Sequence, residues 1–109
     1  MDKKRIFTSK IICYKKDQLF LAVALNFDLI SEGSSMPEAL TRLDNNVKSY
    51  LVMCLEDNET DEQIYRKAPK KYFDMYELFR ELDEKREDKF LGQMTFNNAQ
   101  IVKHSCNLV

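Results

Sequence analysis

Three short segments at the front of the chain have the apolar pattern of β-strands. Residues 6–14 mix β-branched, aromatic and polar side chains, as a half-buried strand does. Residues 19–25 (LFLAVAL) are apolar at every position and too few for a typical helix, which favours a strand buried on both faces. Residues 29–31 suit a third short strand that ends at Glu32-Gly33. We therefore expect a three-stranded antiparallel meander, and the scarcity of glycine favours loops of three or more residues.

A helical period follows the meander. Ser35 and Glu38 have the spacing of a capping box with Ser35 as the N-cap, and Pro37 falls in the first turn, where its missing N–H is tolerated. The helix is expected to end near residue 55 or 56, where an acidic segment begins. Apolar residues recur at steps of three and four and predict one stripe facing the sheet: Met36, Leu40, Leu43, Val47, Tyr50, Leu51 and Cys54.

The second half of the chain predicts another helix at about 69–90 and a last strand at about 94–104. Tyr72, Tyr76 and Phe79 lie at helical spacing, and such a stripe is more often core than docking surface. The charged stretch 80–89 suits a solvated helix end. Residues 1–109 are thus predicted to form one α+β domain: a small antiparallel sheet (β-β-β-α, then helix and final strand) with the helices packed on one face.

Composition excludes several classes of protein. The chain has 109 residues, with 17 basic against 18 acidic side chains, which argues against a protein that mainly coats a nucleic-acid backbone. No apolar run approaches the ~18 residues that a membrane span needs, so we expect no membrane association. The three cysteines, Cys13, Cys54 and Cys106, are far apart and form no C-x-x-C pair. Free thiols of this kind suit a reducing compartment, and we expect a cytoplasmic protein.

Candidate chemistry is sparse, and we expect no catalytic residue, no cofactor and no metal site. His104 and Cys106 are conceivable as a catalytic pair, but no third group is available in the pattern to orient them. Asp28, Glu32 and Glu38 are the only carboxylates close enough in sequence to suggest a metal cluster. A basic bias at the front could contact nucleic acid or protect an edge strand: Lys3, Lys4, Arg5, Lys10, Lys15 and Lys16.

The order of the elements within residues 20–40 is more distinctive than any one of these elements alone. Residues 20–40 (FLAVALNFDLISEGSSMPEAL) contain an apolar strand at 22–25, an acidic turn at Asp28, a segment ending in Gly33, and a capped helix that opens with Glu-Ala-Leu at 38–40. This pattern, over about residues 6–55, resembles the HicB-like antitoxin family. The resemblance implies a β-β-β-α-β unit similar to a truncated ribonuclease-H sheet, without the full acidic set of that enzyme.

The resemblance also implies a function. HicB-like proteins typically bind a small toxin that cleaves messenger RNA and cover its active surface. We therefore expect a non-catalytic protein-binding module of the type II antitoxin kind, with a small basic toxin as partner. The alternatives are a solitary self-associating HicB-like domain, a DNA-binding regulator and a vestigial nuclease. We also expect a homo-oligomer, a dimer or higher. Residues 56–109 lack the closely spaced helix pair of a DNA-binding motif, so DNA binding is the weaker alternative.

Overall fold

Four strands and three helices make up the part of the chain that the computed structural model describes, residues 5–82 and 89–97. The elements in chain order are β1 (Ile6–Lys16), β2 (Leu19–Ala24), β3 (Leu29–Gly33), α1 (Met36–Glu56), α2 (Asp61–Ile64), α3 (Lys70–Leu82) and β4 (Lys89–Asn97).

The strands form one antiparallel sheet in the order β3-β2-β1-β4. β1 lies inside the sheet, where Cys13 is opposite Ala22 of β2 on one side and Phe90 of β4 on the other. The predicted meander is therefore present, and the last strand returns to pair with its first strand. This arrangement leaves β3 and β4 as the two edges of the sheet among the described residues.

The hairpin between β1 and β2 is tighter than expected. Lys16 is opposite Leu19, so the turn consists only of Asp17 and Gln18. Asp17 has a φ of 57°, in the left-handed region that aspartate adopts more readily than most residues with a side chain. The expectation of a longer loop is wrong here because Asp17 takes the conformation usually given to glycine.

α1 begins and ends where the sequence predicts. Ser35 is its N-cap and accepts a hydrogen bond from the Glu38 N–H at 3.2 Å. The Glu38 carboxylate accepts from the Ser34 N–H at 3.0 Å, so the return bond of the predicted capping box is displaced by one residue. The helix runs to Glu56 and buries one stripe against the sheet: Ala39, Leu43, Val47, Leu51 and Cys54.

The two faces of the sheet carry separate apolar clusters. Ile11 and Cys13 belong to the cluster under α1, whereas Ile12 and Val23 belong to a second cluster that includes Tyr72 of α3. Because successive strand residues point to opposite faces, α1 and α3 cover opposite sides of the sheet. The α+β class is confirmed, but the two main helices lie on opposite faces and not on one. The physical reason is β2, which is apolar at every position and needs cover on both sides.

The boundaries in the second half differ from those predicted. α3 spans Lys70–Leu82 within the predicted 69–90, and β4 begins at Lys89, so Lys89 and Phe90 belong to the strand. The predicted strand at 94–104 therefore starts too late. The start of the strand is indicated in the sequence by an alternation with a period of two, at Phe90, Gly92, Met94 and Phe96. Residues 83–88 and 98–109, and with them the predicted end of that strand, lie outside the described residues.

The short helix α2 interrupts the acidic segment and was not predicted. Thr60 is its N-cap in a complete capping box: the Thr60 N–H donates to Gln63 Oε1 at 2.8 Å, and the Gln63 N–H donates to Thr60 Oγ1 at 3.3 Å. Ile64 is buried in the cluster under α1, and its carbonyl accepts a 2.5 Å hydrogen bond from Tyr50 Oη. The Thr-x-x-Gln spacing at 60–63 is the sequence signal that would have located this helix.

Candidate functional site

The three carboxylates considered for a metal cluster have separate environments. The pKa of Glu38 is lowered by the Ser34 N–H and by the Arg42 guanidinium, whose Nη2 lies 3.3 Å from Glu38 Oε1. Arg42 Nη1 also donates to the Glu32 carbonyl at 3.0 Å. Asp28 lies in the turn before β3 with a φ of 56°. Within residues 5–82 and 89–97, no three His, Cys, Asp or Glu side chains are grouped to hold a metal ion.

The described cysteines are poor nucleophiles. Cys13 and Cys54 are buried free thiols. Burial raises the pKa of Cys13 from 9.0 to about 11 and raises that of Cys54 in the same direction. Because the thiolate is the reactive form, both side chains remain protonated and unreactive near neutral pH. The sequence pair His104 and Cys106 lies outside the described residues.

The basic residues at the front do not form one patch in the described structure. Arg5 forms an ion pair with Asp61, whereas Lys10 lies over the ring of Tyr76 at 5.1 Å. Lys15 and Lys16 are exposed at the hairpin, at the other end of β1. The strand is 11 residues long, and at ~3.3 Å per residue its ends lie roughly 35 Å apart. Lys3 and Lys4 lie outside the described residues.

One part of the α3-side face carries exposed apolar side chains. α3 lies mainly over β1 and β4. On β2 and β3 the same face presents Leu19, Leu21, Ile30 and Glu32, which we name the β2–β3 patch. Ile30 is 45% exposed and Leu19 41% exposed, although both lie on strands with a buried opposite face. The register places Leu21 opposite Glu32 and Val23 opposite Ile30, so the patch is continuous across the two strands.

The β3 edge beside this patch is partly closed. An open depression of about 470 Å³ lies between β3 and α1 and includes Ile30, Glu32 and Arg42 in its lining. At its floor Asn46 Nδ2 donates to the buried Ser31 Oγ at 2.7 Å. The Arg42 bond to the Glu32 carbonyl occupies an outward backbone group of this short strand. The β3 edge is thus poorly suited to receive another strand.

The opposite edge, β4, has a defined hydrogen-bonding direction. The Lys10 carbonyl accepts from the Leu25 N–H at 2.9 Å, so the Lys10 backbone faces β2. In an antiparallel sheet, the N–H and C=O of one residue point to the same side, and that side alternates along the strand. The next residue, Ile11, therefore bonds to its partner Gly92, and the backbone of Gln93 points away from β1.

By the same alternation, the outer edge of β4 presents the backbone N–H and C=O groups of Leu91, Gln93 and Thr95. Among the described residues these groups have no backbone partner. β4 is also longer than β3, with 9 residues against 5. The two edges of the sheet therefore differ: one is short and partly occupied by Arg42, and the other is long and open within the described part of the chain.

An exposed aromatic side chain lies beside the open edge. Phe90 is 40% exposed, and its ring lies over Gly92 so closely that a Cβ on Gly92 would be 2.7 Å from the Phe90 Cζ. A depression of about 340 Å³ runs between α1 and β4, with Leu40, Phe90 and Met94 in its lining. The sequence predicts a contact surface on the exposed sheet face and edge, but it does not locate the residues of this edge or of the β2–β3 patch, because both depend on strand register and on the placement of α3.

The comparisons with known proteins leave the family open. No family model matches the chain, and no curated protein and no solved structure matches it. Within the described residues, no helix has the length and apolar character needed to cross a membrane.

Proposed function

We propose that this chain is a non-catalytic protein-binding module that resembles a type II antitoxin and neutralises a small, basic, mRNA-cleaving toxin by occlusion. The sequence pattern of residues 20–40 supports the toxin as the class of partner, because it is the pattern that resembles HicB-like antitoxins. The alternatives are a solitary self-associating domain without a toxin and, with less support, a DNA-binding regulator.

The observation that carries the proposal is the β2–β3 patch. Leu19 and Ile30 expose apolar surface, with the half-buried Leu21 beside them, on a face that α3 covers mainly over β1 and β4. Removing such surface from water is worth about 25 cal/mol per Å² and favours a protein partner. Glu32 lies within the patch and supplies a negative charge that suits a basic partner.

The chemistry of the described side chains supports occlusion over catalysis. The two buried thiols have raised pKa values, and the carboxylate of Glu38 is engaged with the start of α1. Free thiols also suit a reducing compartment, so we propose that the protein acts in the cytoplasm.

The test is co-purification of a tagged chain from its native cells, followed by assay of the captured protein. The proposal requires a stoichiometric small partner that, purified alone, cleaves messenger RNA. An equimolar amount of this chain should stop the cleavage. Ile30→Lys should relieve the inhibition, because it places a positive charge within the β2–β3 patch and opposes a basic partner.

Met53→Lys is the matched control. Met53 is 63% exposed on α1, away from the sheet, so the same chemical change there should leave inhibition intact. A captured protein without RNA-cleaving activity would contradict the toxin proposal. Equal effects of the two variants would contradict the role of the patch.

A further inference from the structure

We infer that the outer edge of β4 pairs with β4 of a second copy of this chain, antiparallel and about a two-fold axis at Gln93, to form a homodimer with one continuous sheet. This interface lies at the opposite edge of the sheet from the β2–β3 patch. It therefore does not depend on the toxin proposal, and a dimer of this kind leaves both patches open.

The backbone directions fit this pairing. Gln93 is the midpoint of Lys89–Asn97, so a two-fold axis there centres the strand on its copy and pairs residues 91–95 of the two chains. Gln93 points its N–H and C=O outward, so the self-opposed pair is of the hydrogen-bonded type. The backbone groups of Leu91 and Thr95 also point outward. Leu91 of each copy therefore forms two backbone hydrogen bonds with Thr95 of the other copy.

The side chains on the α1 side are self-complementary in size. About a two-fold axis at Gln93, Phe90 is opposite Phe96 of the second copy, and Gly92 is opposite Met94 of the second copy. The ring of Phe90 already lies over Gly92, so Met94 of the second copy meets an aromatic face. Aromatic pairs and sulfur–aromatic contacts both stabilise cross-strand neighbours. The half-exposed Phe90 is thereby covered.

Charge also permits a copy at this edge. Residues 90–97 (FLGQMTFN) contain no charged side chain, so self-pairing brings no like charges together. Gln93 is opposite itself, and a carboxamide can donate to and accept from an identical group. Natural proteins usually protect an open edge with lysine, proline or a bulge. β4 has a lysine only at its first position, Lys89, and no proline or bulge, whereas Arg42 occupies the outward Glu32 carbonyl of the β3 edge.

Two other occupants are conceivable, the chain's own residues 98–109 and a strand of an unrelated protein. Only self-pairing about Gln93 places the same residue opposite itself across the interface. A charge introduced at this position is therefore repelled by its own copy and attracted by the opposite charge. The other two occupants do not predict this pattern of repulsion and attraction, so charge variants at Gln93 distinguish them from a second copy.

The test is the mass of the full-length chain in solution, by sedimentation or native mass spectrometry, over about 1–100 µM. The wild-type chain should dimerise. Gln93→Lys and Gln93→Glu should each raise the dimer dissociation constant about two- to fivefold, the effect expected of like charges placed directly opposite across a strand pair. An equimolar mixture of the two variants should form the mixed dimer. Gln18→Lys and Gln18→Glu make the same changes at the exposed hairpin and should dimerise like the wild type.

Gln93→Pro gives a second route to the same conclusion. Proline removes the outward N–H of Gln93 and leaves the bonds between β4 and β1 in place, so the variant should fold as a monomer. A monomeric wild-type chain, an unchanged dimer in the charge variants, or failure of the mixture to associate would each overturn the inference. Protection of the Leu91, Gln93 and Thr95 amides from hydrogen exchange in a monomer would overturn it in favour of residues 98–109.

Discussion

Gly33, the last residue of β3, lies directly against the backbone of Ala39 in α1. A Cβ on Gly33 would be 2.5 Å from the Ala39 nitrogen and 3.0 Å from its Cα. Because these atoms belong to the helix backbone, no side-chain rotation can make room. Gly33 thus determines how closely the start of α1 approaches the sheet.

Gly33→Ala should lower the free energy of unfolding by about 1–3 kcal/mol, because α1 must shift away from β3 to admit the methyl group. The measurement is urea denaturation monitored by circular dichroism. Gly92→Ala is the control. Its new Cβ would meet the end of the Phe90 side chain, which can rotate toward solvent, so its effect should stay below about 1 kcal/mol. An unchanged free energy of unfolding in Gly33→Ala would contradict the close contact between Gly33 and Ala39.

Asn46→Ala should destabilise the protein by about 1–2 kcal/mol. Asn46 Nδ2 donates to the buried hydroxyl of Ser31 at 2.7 Å, and the substitution leaves that hydroxyl without its partner. Asn45→Ala changes a neighbouring exposed amide and should have an effect within about 0.5 kcal/mol. Thermal unfolding of both variants compares them directly, and equal melting temperatures would show that the Ser31 bond contributes little.

Tyr72→Ala should lower the free energy of unfolding by about 3 kcal/mol or more, because Tyr72 is buried with Ile12 and Val23 between α3 and the sheet. Leu78→Ala, on the same helix, removes a side chain that is 51% exposed and should cost about 0.5 kcal/mol or less. If α3 instead served mainly as a docking surface, both variants would unfold like the wild type in chemical denaturation and would weaken partner binding.

Stability should fall in alkaline solution in part because of Cys13. Its pKa is raised from 9.0 to about 11 by burial, so the unfolded chain releases this proton before the folded chain does. The contribution of Cys13 is fully present below pH 9.0 and is lost as the pH rises to about 11. The free energy of unfolding measured from pH 8 to 11 should decline less steeply in Cys13→Ala than in the wild type. An equal decline of the free energy of unfolding with pH in the two proteins would contradict the contribution of Cys13.

Local pattern was sufficient for the meander and for α1. The continuous apolar run at 19–25 and the Ser35–Glu38 cap each specify an element without reference to the rest of the chain. The start of β4 cannot be predicted from local pattern in this way, because Lys89 continues a charged stretch with helical spacing. Pairing with β1 determines that boundary, and pairing is a property of the folded chain.

The candidate surfaces depend even more on tertiary structure. Whether Ile30 is covered depends on where α3 crosses the sheet, and the outward direction of Gln93 follows from the bond between Lys10 and Leu25. Neither relationship leaves a periodic signal at the residues concerned. The sequence therefore predicts the fold class and a family resemblance, whereas the residues of both candidate interaction surfaces are determined by the tertiary structure.

The central position of β1 has a consequence for the order of folding. β1 is the first strand in the chain, yet one of its sides is completed only by β4. During synthesis at ~5–20 residues per second, roughly 4–15 s pass between the end of β1 and the start of β4. Throughout that interval the backbone groups on one side of β1 are unpaired. We therefore expect the ribosome-bound chain to depend on chaperones until β4 has been synthesised and pairs with β1.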